Sequence, residues 1–196
     1  MKVLAIVFLF TIITACSKKN GNTHNSNQDT NMFKQNVIVK SLEHDKKVEI
    51  YSIGIGSDRD QALLSATGFL AEQIAGVKFS IKDGKLTLKT PATLISGALP
   101  LYYREINDGR ILCIMKYKRL ISAKSLNGKY IEKNVTVTLN KIINQRTELY
   151  ESIFKSILSE NTNKTISGFI IIREISKIPE KLNLKNKIDI KFNIYF

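Results

Sequence analysis

Two cysteines, two histidines and no tryptophan in 196 residues leave little material for several common chemistries. A zinc cluster draws its soft ligands from Cys and His, and a disulfide framework needs several thiols; neither can be assembled from so few. Imidazole, the side chain that titrates nearest neutral pH, is almost missing, so acid–base catalysis would need a carboxylate or lysine with a displaced pKa, and no spacing nominates one. Also missing are a G-x-S-x-G nucleophile turn, an H-E-x-x-H helix and a Cys–His pair. Ser152 and Lys155 have S-x-x-K spacing, but the S-D-N and K-T-G companions are absent. No catalytic residue, metal or cofactor is expected.

What is present is the make-up of a folded protein, with 43% hydrophobic and 24% charged residues, enough for one domain of ordinary size. Lys and Arg number 30 against 17 Asp and Glu, a net charge of +13. The excess is spread along the chain, +1 over residues 17–32, +5 over 33–120 and +6 over 121–196. A nucleic-acid reader concentrates its charge on one face or helix, so nucleic acid is not an expected partner. An evenly basic surface suits a position beside an anionic envelope.

The amino terminus carries the most specific signal. Met1-Lys2 is a one-charge start, Val3 to Ile13 is an 11-residue apolar run, and Ile13-Thr14-Ala15-Cys16 closes it. The run is too short to span a bilayer and the right length for the apolar region of a secretory signal. These residues resemble a bacterial lipobox. The resemblance implies cleavage before Cys16, a diacylglyceryl thioether on its sulfur and an acylated amine, hence a membrane partner reached through the lipid. Three acyl chains exceed the two signals that stable anchoring takes. Ser17, where an Asp would retain an enteric-type lipoprotein in the inner membrane, points to the outer membrane. Ser17 to Asn31 holds no apolar side chain and reads as a flexible tether with an r.m.s. span of about 20 Å. His24 lies in it with no second ligand nearby, and reads as solvated linker.

Structure begins near residue 37. Val48 and Ile50 alternate with Glu49 and Tyr51 before Ile53-Gly54-Ile55-Gly56, a strand that closes in glycines. Ser57 can cap a following helix with Asp60 reaching back, and Leu63, Ala66, Phe69, Leu70 and Ile74 recur at helical spacing until Gly76. Two hairpins follow, one across Asp83-Gly84 and one across Asn107-Asp108-Gly109. Strand, helix and antiparallel strands make an α+β domain with one long helix across a face of the sheet. Gly54-x-Gly56 invites a dinucleotide reading, but the third position is Arg59 and no strand–helix repeats follow, so the glycines read as turn geometry. Ser57 and Arg59 at the helix start are the candidate anion-binding residues.

The stretch Ile53 to Ser57, the helix from Ala62-Leu63-x-x-Ala66 to Ala71-Glu72-Gln73-Ile74, and Gly97-Ala98-Leu99 to Asp108-Gly109-Arg110-Ile111-Leu112-Cys113-Ile114 resemble the twenty-kilodalton (Lpp-type) outer-membrane lipoproteins. In part they also resemble flagellar-assembly lipoproteins of the FlgP and FlgT type. The likeness covers about residues 47–120, and it implies a dodecin-like core with no catalytic residue. The chain departs from it in Leu101-Tyr102-Tyr103-Arg104-Glu105, where relatives often place a Trp, and in a long carboxyl-terminal extension. Expected domains are therefore a signal peptide at 1–15, lipidated Cys16 and tether to 31, a core at 32–120, and a helix–strand extension at 121–196.

In that extension Val135 to Leu139 reads as a strand, Ile142 to Leu158 as an amphipathic helix and Thr165 to Ile175 as a strand. Ile188, Ile190, Phe192, Ile194 and Phe196 alternate with polar residues as a half-buried strand whose apolar edge can pair with another chain. Cys113, between Leu112 and Ile114, reads as a small core residue. The expected function is that of a non-enzymatic envelope lipoprotein that binds envelope or flagellar proteins and associates with itself. The alternative is a periplasmic small-ligand-binding protein or enzyme using a groove near Ser57 to Asp60.

Overall fold

A computed structural model describes residues 33–82, 85–89, 95, 97–123, 128–144, 146–158 and 165–196. The lipobox, the whole tether and the Asp83-Gly84 turn lie outside the described residues. In chain order the elements are β1 (Val39–Ser41), β2 (Lys46–Gly56), α1 (Arg59–Ala75), β3 (Val77–Lys82), β4 (Lys85–Lys89), β5 (Leu99–Glu105), β6 (Ile111–Ile121), β7 (Lys129–Thr138), α2 (Leu139–Asn144), α3 (Arg146–Ile157), β8 (Thr165–Ser176) and β9 (Lys187–Tyr195). They form two antiparallel sheets, β1-β7-β9-β8-β3-β4 and β2-β6-β5. The class is α+β, with α1 packed against β2 and β6. The antiparallel hairpins β3–β4 and β5–β6 form as their turn residues predict, the second around Gly109 at φ 84°.

Apolar runs without alternation, Leu112 to Met115 and Ile170 to Ile172, are buried on both faces of their sheets. One face of β2 and β6 brings Val48, Ile50, Cys113 and Met115 into a cluster with Ala62, Ala66 and Leu70 of α1. On the other face Ile53, Ile55, Leu112 and Ile114 join a second cluster with Ile170, Ile172 and the β9 row Ile188, Ile190, Phe192 and Ile194. Leu149, Ile153, Phe154 and Ile157 of α3 close that second cluster.

Four expectations change. Gly54 and Gly56 are not a turn but part of β2, paired with Cys113 and Ile111, and neither has a left-handed backbone. They are small because α1 rides on them: a Cβ at Gly54 would lie 2.1 Å from the Ala66 nitrogen, and one at Gly56 would lie 2.3 Å from the Ala62 nitrogen. The helix cap is Asp58, not Ser57; the Asp58 carboxylate accepts from the Gln61 N–H at 2.8 Å. The helix expected over Ile142 to Leu158 is two, α2 and α3.

The last change concerns the extension, which is not a separate unit. β6 runs past residue 120, and β7, β8 and β9 share a sheet with β1, β3 and β4 from the earlier half. Without the extension, the face carrying Ile53, Ile55, Leu112 and Ile114 would lose its cover. β9 accordingly has no free edge, since β7 and β8 pair with it on either side. Its apolar row faces the core and is not available to another chain.

The edge of β2 and the part of β8 that runs beyond its pairing with β3 meet each other through side chains. Gln73 of α1, fully buried, donates from Nε2 to the Tyr51 carbonyl at 3.0 Å and accepts from the Ile172 N–H at Oε1 at 2.7 Å. Arg173 donates from Nη1 to the Glu49 carbonyl. Backbone groups that a missing strand would have satisfied are thus closed by an amide and a guanidinium.

Candidate functional site

The β8–β9 register slips between Ile172 and Glu174, so Arg173 is an extra residue opposite β9. Such a bulge breaks strict alternation and turns neighbouring side chains to the same face. That face also carries Lys191, Asn193 and Tyr195, the residues of β9 that alternate with the buried apolar row. β7 adds Tyr130, opposite Tyr195, and Glu132, opposite Asn193. Together with Leu42, Lys46, Val48 and Glu174 these side chains line a cleft of about 220 Å³.

Its floor is a pair of tyrosines stacked with ring centroids 5.3 Å apart. The Asn193 Nδ2 donates to the Tyr195 hydroxyl at 3.1 Å, while the Asn193 Oδ1 has no hydrogen-bond partner and the residue is 7% exposed. Burial pushes the Tyr195 phenol up from its ordinary pKa, against the pull of Asn193 and Arg173, so it is a protonated donor at neutral pH. Glu132 is held by Lys40 at 2.5 Å, and this hydrogen bond keeps its carboxyl below the usual glutamate range, with Lys191 and Lys46 adding attraction. Three cations, Lys46, Arg173 and Lys191, then face one further carboxylate, Glu174.

A second cleft of about 260 Å³ continues along the sheet and shares Glu174 and Lys191 with the first. It is lined by Asn134, Thr136, Ser176 and Asp189 among others. The Asp189 carboxylate is occupied, accepting from the Thr136 hydroxyl at 2.7 Å and pairing with Lys177 at 2.6 Å.

The residues singled out by sequence fall elsewhere. Cys16 lies outside the described residues. Ser57 and Arg59 do not form an anion site: the helix start already holds the Asp58 carboxylate, to which the Ser57 hydroxyl donates at 3.0 Å, and these hydrogen bonds keep Asp58 ionised below its ordinary pKa. Arg59 is drawn over the Tyr103 ring, 5.4 Å from its centroid. Neither cleft described above is lined by Ser57 to Asp60. Cys113 is a free, buried thiol whose pKa is raised by burial, the opposite of an activated nucleophile. Lys155 pairs with Glu151 at 3.5 Å on the exposed side of α3.

Sequence reading passed over Arg173, Asn193 and Tyr195. The available signal was the polar row of β9, where Asn193 and Tyr195 depart from the charged Lys187, Asp189 and Lys191 and so were candidates for burial. Among the described residues, no three His, Cys, Asp or Glu side chains cluster as a metal site would need, and no helix is long and apolar enough to cross a membrane. Comparison with protein-family models, with curated proteins and with solved structures found no match.

Proposed function

We propose that this chain is a lipid-anchored protein of the bacterial envelope that works by binding and not by catalysis. The observation that supports it most directly is the order of lipobox, tether and fold. Cys16 ends an apolar run, Ser17 to Asn31 has nothing to bury, and Phe33 is already buried. Phe33 bridges Leu158 and packs its ring, tilted by 46°, against that of Phe196 with centroids 4.7 Å apart, and the Lys34 N–H donates to the Ile157 carbonyl at 2.9 Å. A lipid at Cys16 would therefore hold the domain through a point fixed on the fold, at a standoff set by the tether. Residence at the outer membrane rests on Ser17, and a flagellar association rests on the resemblance of residues 47–120.

Binding of other envelope proteins would use side chains more than strand edges. β5 is an edge strand with Leu99 70% and Leu101 53% exposed, but Pro100 has no N–H and the register shifts between Pro100 and Tyr102. Proline and a bulge are the usual guards against edge-to-edge pairing, so self-association through β5 is confined to a short stretch. The alternative reading, a small-ligand-binding protein, gains support from the cleft over the β8 bulge, in place of the groove at Ser57.

The test is to express the chain and its Cys16→Ser variant in a bacterium with labelled palmitate. Incorporation by the parent alone, with the parent fractionating with outer membrane and the variant released or unprocessed, is expected. Equal labelling and equal detergent partitioning of the two would overturn the anchor.

A further inference from the structure

We propose that the cleft over the β8 bulge is a binding site for a saccharide that carries a carboxylate or phosphate. The inference goes beyond the anchoring role and stands whether or not Cys16 is acylated.

The cleft divides into a charged and a neutral end. At the charged end Lys46, Arg173 and Lys191 outnumber Glu174, because Lys40 already occupies Glu132. The excess of cations favours a ligand that brings negative charge there. The Arg173 guanidinium, with one nitrogen fixed on the Glu49 carbonyl, is held in place before any ligand arrives. At the other end Asn134, Thr136 and Ser176 offer neutral donors and acceptors, and beyond the shared Glu174 the carboxylate there, Asp189, is taken by Lys177 and Thr136. That end suits hydroxyl groups. The two volumes, about 220 and 260 Å³ with Glu174 and Lys191 lining both, match a ligand of two small rings more closely than one drug-sized group.

An extended acidic peptide fits less well. Peptides that bind sheets do so by adding a strand to an edge, and here β9 is already paired with β7 and β8 on both sides. Recognition in the cleft rests on side chains: the Asn193 Oδ1, buried in the lining without a hydrogen-bond partner, is left to accept from a ligand hydroxyl, and the half-buried Tyr130, backed by the buried Tyr195, is the aromatic side chain a sugar ring would meet.

The experiment titrates the full chain, in detergent, with a uronic-acid disaccharide, a hexose phosphate, a neutral disaccharide, inorganic phosphate and an acidic tetrapeptide, followed by calorimetry. Binding of either charged saccharide, at least about tenfold tighter than the neutral one and weakened by salt, is expected, and their order identifies the anion. Lys191→Gln should weaken it about tenfold with an unchanged melting temperature. Arg173→Gln should weaken it further; because that change also opens the Glu49 carbonyl, the Lys191 variant decides if it unfolds. No binding to the folded chain, equal binding of the neutral sugar, or phosphate or tetrapeptide binding as tightly as the charged saccharides would overturn the proposal. Palmitate labelling is independent of these outcomes, so failure here leaves the anchor to its own test.

Discussion

Replacing Gly54 with alanine adds one methyl group where a strand and a helix backbone are in close contact. The new Cβ would lie 2.1 Å from the Ala66 nitrogen, 2.4 Å from the Ala62 oxygen and 2.7 Å from the Ala66 Cα. All three are backbone atoms of α1, so no rotamer change relieves the clash and the helix must lift from β2. Lifting it loosens Ala62, Ala66 and Leu70 from Val48 and Ile50, and stretches the 2.6 Å hydrogen bond from the Ser52 hydroxyl to the Ala66 carbonyl. Overpacking typically costs about 1–3 kcal/mol, and contacts that are all backbone place this case at about 3 kcal/mol or more. For a chain of this size that lowers the melting temperature by roughly 6–12 °C. Gly68 in the same helix is the control, because a Cβ there meets nothing within 4 Å. Gly68→Ala should raise stability by about 0.5–1 kcal/mol through helix propensity alone. Melting followed by far-UV circular dichroism compares the two. A Gly54→Ala protein that melts at or above the parent would refute the packing of α1 on the glycines, since alanine is otherwise the better residue in a strand.

Two further outcomes follow from the same helix. Leu70→Ala, at a fully buried position, should cost about 2–5 kcal/mol in denaturant titrations, whereas Gln61→Ala on the exposed side should stay within about 0.5 kcal/mol; equal shifts would mean that α1 is not seated as described. Glu72 has its pKa raised because burial outweighs the attraction of Arg146 and the hydrogen bond from Tyr150. The folded state therefore binds this proton more tightly than the unfolded chain, so the contribution is fully present below the unfolded value of about 4.3 and is lost as pH rises through the folded pKa. Glu72→Gln should remove that part of the pH dependence, and a stability–pH curve parallel to the parent's would count against it.

Local pattern was enough for α1, the two hairpins and the alternation of β9. Leu63, Phe69 and Leu70 repeat at helical spacing, and Asn107-Asp108-Gly109 carries the turn chemistry its hairpin needs. Pairing between distant segments was not legible. Nothing in Ile188 to Phe196 distinguishes a central strand from an edge strand, because both bury alternate residues. Gly54 and Gly56 misled for a similar reason. A glycine required by a left-handed backbone and one required by a neighbouring helix have the same letter, and only the position of α1 separates them. The cleft was hidden because its formation depends on the register slip at Arg173, which no local spacing encodes.

That slip ties architecture to the cleft. A regular β8 would place Arg173 and Glu174 on opposite faces, leaving either the Glu49 carbonyl without its guanidinium or the cleft without its charge. With the slip, Arg173 bonds the Glu49 carbonyl on the β2 edge while Glu174 stands beside Lys191, and Gln73 bonds the Tyr51 carbonyl two residues along β2. An Arg that is already hydrogen-bonded on one side loses less freedom when an anion arrives on the other. The same bond that joins the two sheets therefore prepares the cation for binding, so the cleft should persist as long as the sheets stay joined.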